Sequence, residues 1–422
     1  MLFRPLLALA LLSTSLFAAE NWPAFRGPTG DGHSDSTGLP IKFGEGDHVK
    51  WKTAIHGKAW SSPVIWGSQV WLTTANEEGT ELSVVEVDKD SGKILRDDIL
   101  FRVATPQFCH KFNSYASPTP AIEEGRVYVT FGSPGTACLD TKTGKKLWER
   151  TDFVCNHYRG AGSSPILWEN LLIVNFDGSD NQFIVALDKA TGKTVWQTKR
   201  STDYGDLAPD GTVKNEGDYR KAFATCQVYM QNGQPILLSS GAKAHYAYDP
   251  RTGKEIWRFD EPEAHSAATR PVVGDGIAYI PAGFGKAGLL AIKLGGKGVL
   301  SANDLAWRVK KAVPNKPSVT LVNGLLFTVN DGGIASCLDA KTGDVVWSER
   351  LGGSGNFSAS PIYAEGHMYA GNEEGKFFVF EAGRQFKVLA ENVFPDGFMS
   401  SPAVSGKALY LRTKTSLYRI EN

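Results

Sequence analysis

The stretch Asp140 to Trp148, DTKTGKKLW, decides the fold. The same pattern returns as DKDSGKIL at 88, DKATGKTVW at 188, DPRTGKEIW at 249 and DAKTGDVVW at 339. Its turn glycines are Gly92, Gly144, Gly192, Gly253 and Gly343, at intervals of 48 to 61 residues and a last gap of 90. That gap holds two units, one with a degraded turn, LGGKGVL at 294, that still reaches Trp307. Asp suits the start of such a turn because its side chain accepts from the backbone N–H groups that follow, and Gly takes the positive φ. The tryptophan predicts a large flat side chain packed between neighbouring units. One copy would be an ordinary hairpin turn. Five in register mean a repeat.

A second motif precedes each turn. It reads SSPVI at 61, SPTPAI at 117, SSPIL at 163, ATCQVYM at 224, TRPVV at 269, KPSVTLV at 316, ASPIY at 359 and SSPAV at 400. After each comes a short turn and an alternating strand, such as RVYVTFG at 126. Each unit therefore reads as four strands, the last ending in Trp. This predicts an all-β fold, an eight-bladed β-propeller of four-stranded antiparallel blades. The final unit runs out of chain at Asn422, while HVKWKT at 48–53 has the Trp of a fourth strand and nothing before it. The amino-terminal strand is expected to complete the last blade and close the ring, which removes exposed sheet edges.

The domain reading is 1–19 as an export signal, 20–47 as an amino-terminal extension and 48–422 as the propeller. Arg4 precedes a short apolar run from Leu6 to Phe17, and Ala18 and Ala19 are small residues for cleavage. No stretch is apolar over the ~20 residues a spanning helix needs. The chain is expected in the periplasm or outside the cell. Lys plus Arg and Asp plus Glu are both 45, so the net charge is zero. A nucleic-acid partner, which would favour a basic excess, is not expected.

The five cysteines are Cys109, Cys138, Cys155, Cys226 and Cys337. Cys109 and Cys155 lie in equivalent loops of neighbouring units and are a candidate disulfide in an oxidising compartment. Cys109-His110 and Cys155-x-His157 also offer soft ligands, but their spacing is too tight for a zinc finger, so no metal site is expected.

The A-x-D-x-x-TGK-x-x-W repeat resembles the PQQ-like propeller family over roughly residues 48–420. That family includes quinoprotein alcohol dehydrogenases, the outer-membrane assembly lipoprotein BamB and many secreted propellers. The opening NWPAFRGPTGDG at 21–32 is most similar to propellers of planctomycete-type bacteria. The resemblance implies the fold, because the repeat residues build blades, and leaves function open. Its enzymes hold pyrroloquinoline quinone (PQQ) with calcium beside a pair of adjacent cysteines, and this chain has no Cys-Cys pair. No cofactor is therefore expected, with PQQ and calcium as the alternative.

In a propeller the segments before the innermost strands converge on one face, where ligand sites form. The candidates there are Trp60, His110, Asn113, His157, Arg159, Arg220, His265, Arg270, Lys316 and Asn356. Arg159, Arg220 and Arg270 are expected to converge on an anion, since guanidinium binds carboxylate bidentately. Phe112, Tyr158, Phe223 and Phe357 are candidates for stacking beside Trp60. The plainer alternative is a water-filled channel lined by polar loops. The 201–222 insertion carries Asp206, Asp210, Glu216 and Asp218, and reads as a surface loop, a lid or a partner-binding loop. The expected function is a non-catalytic platform that binds a protein, peptide or glycan on this face. The alternative is an enzyme in the funnel, quinone-linked or acting on carbohydrate.

Overall fold

The protein is described by a computed structural model over residues 20–285 and 288–422. The expected export signal lies outside the described residues. Eight antiparallel four-stranded blades follow in sequence order. They span 64–102, 121–150, 166–199, 227–260, 272–309, 320–350, 362–393 and 403–421. The eighth takes its outermost strand from Val49–Ala54, which pairs antiparallel with Ser416–Glu421. The ring therefore closes as the orphaned HVKWKT segment predicts.

The repeat motif is a lock between blades. Gly92, Gly192, Gly253 and Gly343 stand at φ +70 to +78, and each lies flat against the tryptophan of the preceding blade. A Cβ on Gly192 would sit 2.7 Å from Trp148, and one on Gly253 2.4 Å from Trp196. Each indole also donates Nε1–H to a carbonyl in the next blade's turn: Trp51 to Lys89, Trp148 to Lys189, Trp196 to Pro250 and Trp307 to Ala340, at 2.9–3.0 Å. The exception in sequence, DSGKILR, is explained by Arg96. It stands where Trp belongs, and its guanidinium lies under Gly144. The degraded turn at 294 also has a reason. Residues Gly298–Leu300 leave their own blade and add a parallel fifth strand to Glu255–Asp260.

Inside the ring a second chain of bonds links the SSP motifs. One hydroxyl per motif accepts the backbone N–H of the preceding blade: Ser62 to Thr119, Thr119 to Ser164, Ser164 to Thr225, Ser318 to Ser360, Ser360 to Ser401 and Ser401 to Ser62, at 2.9–3.0 Å. In the fifth blade Arg270 occupies this position and its N–H donates to Ser318.

Beyond that ring, residues 22–34 plug the channel. Trp22 exchanges two backbone bonds with Ile65, and Pro23 accepts from Ile122. The fully buried Arg26 donates to the carbonyls of Val319 and Pro361, at 2.7 and 3.2 Å. His33–Ser34 adds a parallel strand beside Tyr363–Ala364. The extension is thus a stopper that joins blades far apart in the ring. No helix among the described residues is long and apolar enough to cross a membrane.

Two tests follow from this packing. Gly192→Ala and Gly125→Ala both place a side chain at positive φ, but only Gly192 faces an indole; Gly125 has nothing within 4 Å. Urea unfolding is expected to show Gly192→Ala less stable than Gly125→Ala by about 1–3 kcal/mol, the cost of overpacking. The second concerns acid. His245 is buried, with one ring nitrogen on Ser240 Oγ at 2.9 Å, and burial pushes its imidazole down from 6.5 to about 3. The unfolded chain therefore takes up a proton first as pH falls. Stability is full above pH 6.5 and declines toward pH 3, by up to ~1.4 kcal/mol per pH unit from this residue. Unfolding midpoints of His245→Gln between pH 7 and 4 should decline less steeply than those of the parent.

Candidate functional site

The eight motifs and the stopper leave a blind funnel. Its mouth is formed by the loops that precede the inner strands, its wall includes the hydroxyl ring, and Phe25 of the stopper lies in its lining. The cavity is about 450 Å³. Trp60, His110, Asn113, Arg159, His265 and Lys316 all line it. Phe112 and Phe223 do as well, so flat apolar surface and cations share one space.

Local bonding explains why these side chains reach inward. Trp60 Nε1–H donates to the Phe112 carbonyl at 3.0 Å, which pins the indole across two loops. Asn113 donates to the Arg159 carbonyl at 2.9 Å and accepts from Ser117 at 2.6 Å. Tyr158 stands at φ +62, a conformation that non-glycine residues rarely adopt and that recurs at functional sites. Across it Arg159 N–H returns to the His157 carbonyl at 2.7 Å. This tight reversal turns Arg159 into the funnel and His157 away from it. Lys316 lies over the Phe112 ring at 4.4 Å and pairs with Glu373 at 3.0 Å.

The other sequence candidates stand elsewhere. His157 is buried between blades, where its ring accepts from Ser133 N–H at 2.9 Å. Burial pushes it down to about 4. Arg220 stays within the insertion, bidentate on Asp206 at 2.6 and 2.9 Å. Arg270 lies below the funnel and donates to the Phe25 carbonyl at 2.5 Å. The three arginines therefore do not converge. Asn356 donates backbone and side-chain N–H to Glu374, outside the lining. Phe357 is a core residue packed on Phe378. The Cys109–Cys155 disulfide is not formed: both are free thiols. Cys109 points at the Arg159 carbonyl, while Cys155 packs against His157 at 3.6 Å.

Sequence reasoning missed Lys221, Phe25 and Phe284 as lining residues. Lys221 had a signal, since it sits in the polar segment before the fourth inner strand. Phe25 had none, because it comes from the opposite end of the chain. Lys221 is buried and paired with Asp218. Burial lowers the lysine, and Asp218 partly offsets this. Burial alone would raise the Asp218 carboxyl, but Lys221 and Arg159 outweigh it and hold it below the usual range. Among the described residues lining the funnel are three cations, Arg159, Lys221 and Lys316, and one carboxylate, Asp218. Arg159 and Lys221 face Asp218, while Lys316 pairs with Glu373 and approaches Asp331, both outside the lining. His110 is pushed below the ordinary 6.5 by burial and then by Arg159, Lys111 and Lys58. His265 is lowered by burial and then by Lys221.

The donor set can be weighed against calcium with a quinone. Calcium takes about six to eight oxygen ligands, with carboxylates prominent among them. Here the one lining carboxylate is engaged by two cations, and no three His, Cys, Asp or Glu side chains gather as a metal cage among the described residues. The funnel does not fit that ion. It suits anions and flat apolar groups.

Comparison with known proteins agrees with the architecture. Quinoprotein ethanol dehydrogenase of Pseudomonas aeruginosa is 26% identical over 211 residues, covering 46% of this chain and 32% of the enzyme. The matched part is thus less than a third of that relative's length. Outer membrane protein assembly factor BamB of Yersinia pestis is 20% identical over 342 residues, covering 71% of this chain and 83% of that protein. Europium-containing methanol dehydrogenase superposes with a TM-score of 0.65 at 13% identity, over 93% of this chain and 89% of the other, and shares the fold. A family model described as outer membrane protein assembly factor BamB matches residues 110–222 and 240–385. With more than half of its length matched, the chain belongs to this family of PQQ-like repeat propellers.

Proposed function

We propose that the propeller is an exported, non-catalytic binding platform whose funnel receives an acidic segment of a partner protein or peptide. The observation that carries this reading is the make-up of the funnel wall, which among its described lining residues presents three cations, Arg159, Lys221 and Lys316, and one carboxylate, Asp218, while the Glu373 partner of Lys316 lies outside the lining. Two further features support it. Burial lowers the His110 and His265 imidazoles, and the charge of Arg159 adds to this at His110 as that of Lys221 does at His265. Phe108, Phe112, Tyr219 and Phe284 are exposed, and Phe112 and Phe284 also line the funnel, so a docking partner meets apolar surface beside the cations. A neutral glycan makes no use of the cations. Glycoside hydrolysis needs two carboxylates, and one lines the funnel.

The test is calorimetric titration with a phenylalanine-capped hexaglutamate peptide and its hexalysine counterpart. The acidic peptide is expected to saturate, to weaken with added salt, and to lose about tenfold in affinity, ~1.4 kcal/mol, in an Arg159→Ala, Lys316→Ala double variant. Equal binding of both peptides, or of neither, would sink the reading. The quinoprotein relatives raise the rival, a quinone-linked oxidoreductase. A saturable absorbance change with PQQ and calcium would favour it.

The same electrostatics set a pH expectation. In NMR titrations the His110 midpoint should lie below 6.5, rise in Arg159→Ala, and rise again when the acidic peptide saturates the funnel. A midpoint indifferent to Arg159 would remove the local field from the argument.

A further inference from the structure

One carboxylate already sits where an acidic ligand would bind. Asp218 holds the Lys221 ammonium, which also donates to the Asp218 backbone carbonyl at 2.6 Å. The Lys221 side chain is 1% exposed. Arg159 comes only to 3.6 Å from the same carboxylate, through Nε, and its side chain is 40% exposed. That distance is long for a hydrogen bond, so the guanidinium fork, well shaped for a bidentate carboxylate, is underused.

The backbone that delivers Asp218 is strained. Asn215, Glu216 and Gly217 stand in succession at φ 53, 54 and 76. Residues other than glycine do not rest in this region without support from their surroundings. Gly217 presses on Ser179, whose carbonyl oxygen would lie 2.1 Å from an added Cβ. Three contacts hold the turn in place. They are the Lys221 pair, the Arg220 fork on Asp206, and the Tyr219 ring set edge-on to His265 at 5.0 Å. Two of them, Lys221 and His265, belong to the funnel lining itself. The end of the insertion is therefore anchored in the funnel wall.

We propose that Asp218 is a built-in counter-ion, displaced by the carboxylate of a ligand that then bridges Arg159 and Lys221. The ligand class is a carboxylate borne on a flat apolar group, with Trp60 and Phe223 as the surfaces for that group. Displacement frees the strained turn at 215–217, so binding loosens the insertion. This rests on the reading of the funnel as an acid receptor.

The probes are 2-naphthoate and its neutral analogue 2-naphthamide, titrated calorimetrically into the parent chain and into Asp218→Asn. The variant is expected to bind naphthoate about tenfold more tightly and naphthamide unchanged. Equal naphthoate affinity in the two proteins overturns displacement and leaves the acid-receptor reading standing. Naphthoate binding to neither protein also overturns the inference, and the acidic-peptide titration then decides whether the underlying reading falls with it. Asp218→Asn leaves a buried lysine unpaired, so a second measurement uses the parent chain alone. Hydrogen exchange of the backbone amides in 214–220 should quicken when naphthoate saturates. Unchanged or slower exchange overturns the proposal.

Discussion

The fold depends on one contact made repeatedly: an indole laid against a turn glycine of the next blade. Both halves of the sequence motif belong to it. Glycine is required twice over, for its positive φ and because a Cβ would enter the ring at 2.4–2.7 Å. The indole adds a hydrogen bond to a turn carbonyl, so it fixes direction as well as distance. The seam of the ring uses the same device. Trp51, on the amino-terminal strand of the last blade, lies under Gly92 and donates to Lys89 in the first. Closure therefore needs no special interface. A chain that makes the lock within consecutive blades makes it again between its two ends. Arg96 shows which feature matters, since a flat guanidinium under Gly144 does the same packing.

The inner ring of hydroxyls and the stopper turn an annulus into a cup. Each hydroxyl accepts a backbone N–H from the preceding blade, which satisfies a buried donor at each blade junction except that between the fourth and fifth blades. Arg270 breaks the pattern in the fifth blade, and the break has a use. Its guanidinium reaches the Phe25 carbonyl, so the stopper is tied to the blade whose ring position lacks a hydroxyl. Arg26 ties the other side of the stopper to the sixth and seventh blades. The base of the cup is fixed by backbone and buried groups. The mouth is made of loops, whose side chains can vary without disturbing the locks.

Blade number, strand order and closure were legible because they depend on periodicity. A repeat averages over its exceptions: DSGKILR and LGGKGVL were still readable as units. The stopper was not legible. NWPAFRGPTGDG has no internal period, and its partners lie up to 335 residues away. The site was legible in part, because motif position places a loop at the mouth and does not aim its side chains. His157 and Arg159 are two residues apart, yet the turn at Tyr158 sends one into the wall and the other into the funnel. Arg270 carried an unused signal. It aligns with the hydroxyls of the SSP motif, and every other member of that column is buried or lines the ring.

The cup also explains why family membership does not carry an activity with it. The likeness to solved relatives is one of fold, and blades impose no chemistry on the mouth. The chemistry here comes from two places outside the repeat: the reversal at Tyr158, which presents Arg159, and the 201–222 insertion, which presents Lys221 with its own carboxylate. Asp218 is an anion that the pocket supplies itself, which lowers the cost of burying Lys221. On the proposed reading an incoming acid must therefore compete with Asp218 and does not simply fill a vacant charge. Selectivity then rests on whether the ligand's apolar body gains enough from the aromatic wall to outweigh the lost internal pair. An inorganic anion, with no such body, is at a disadvantage in this funnel.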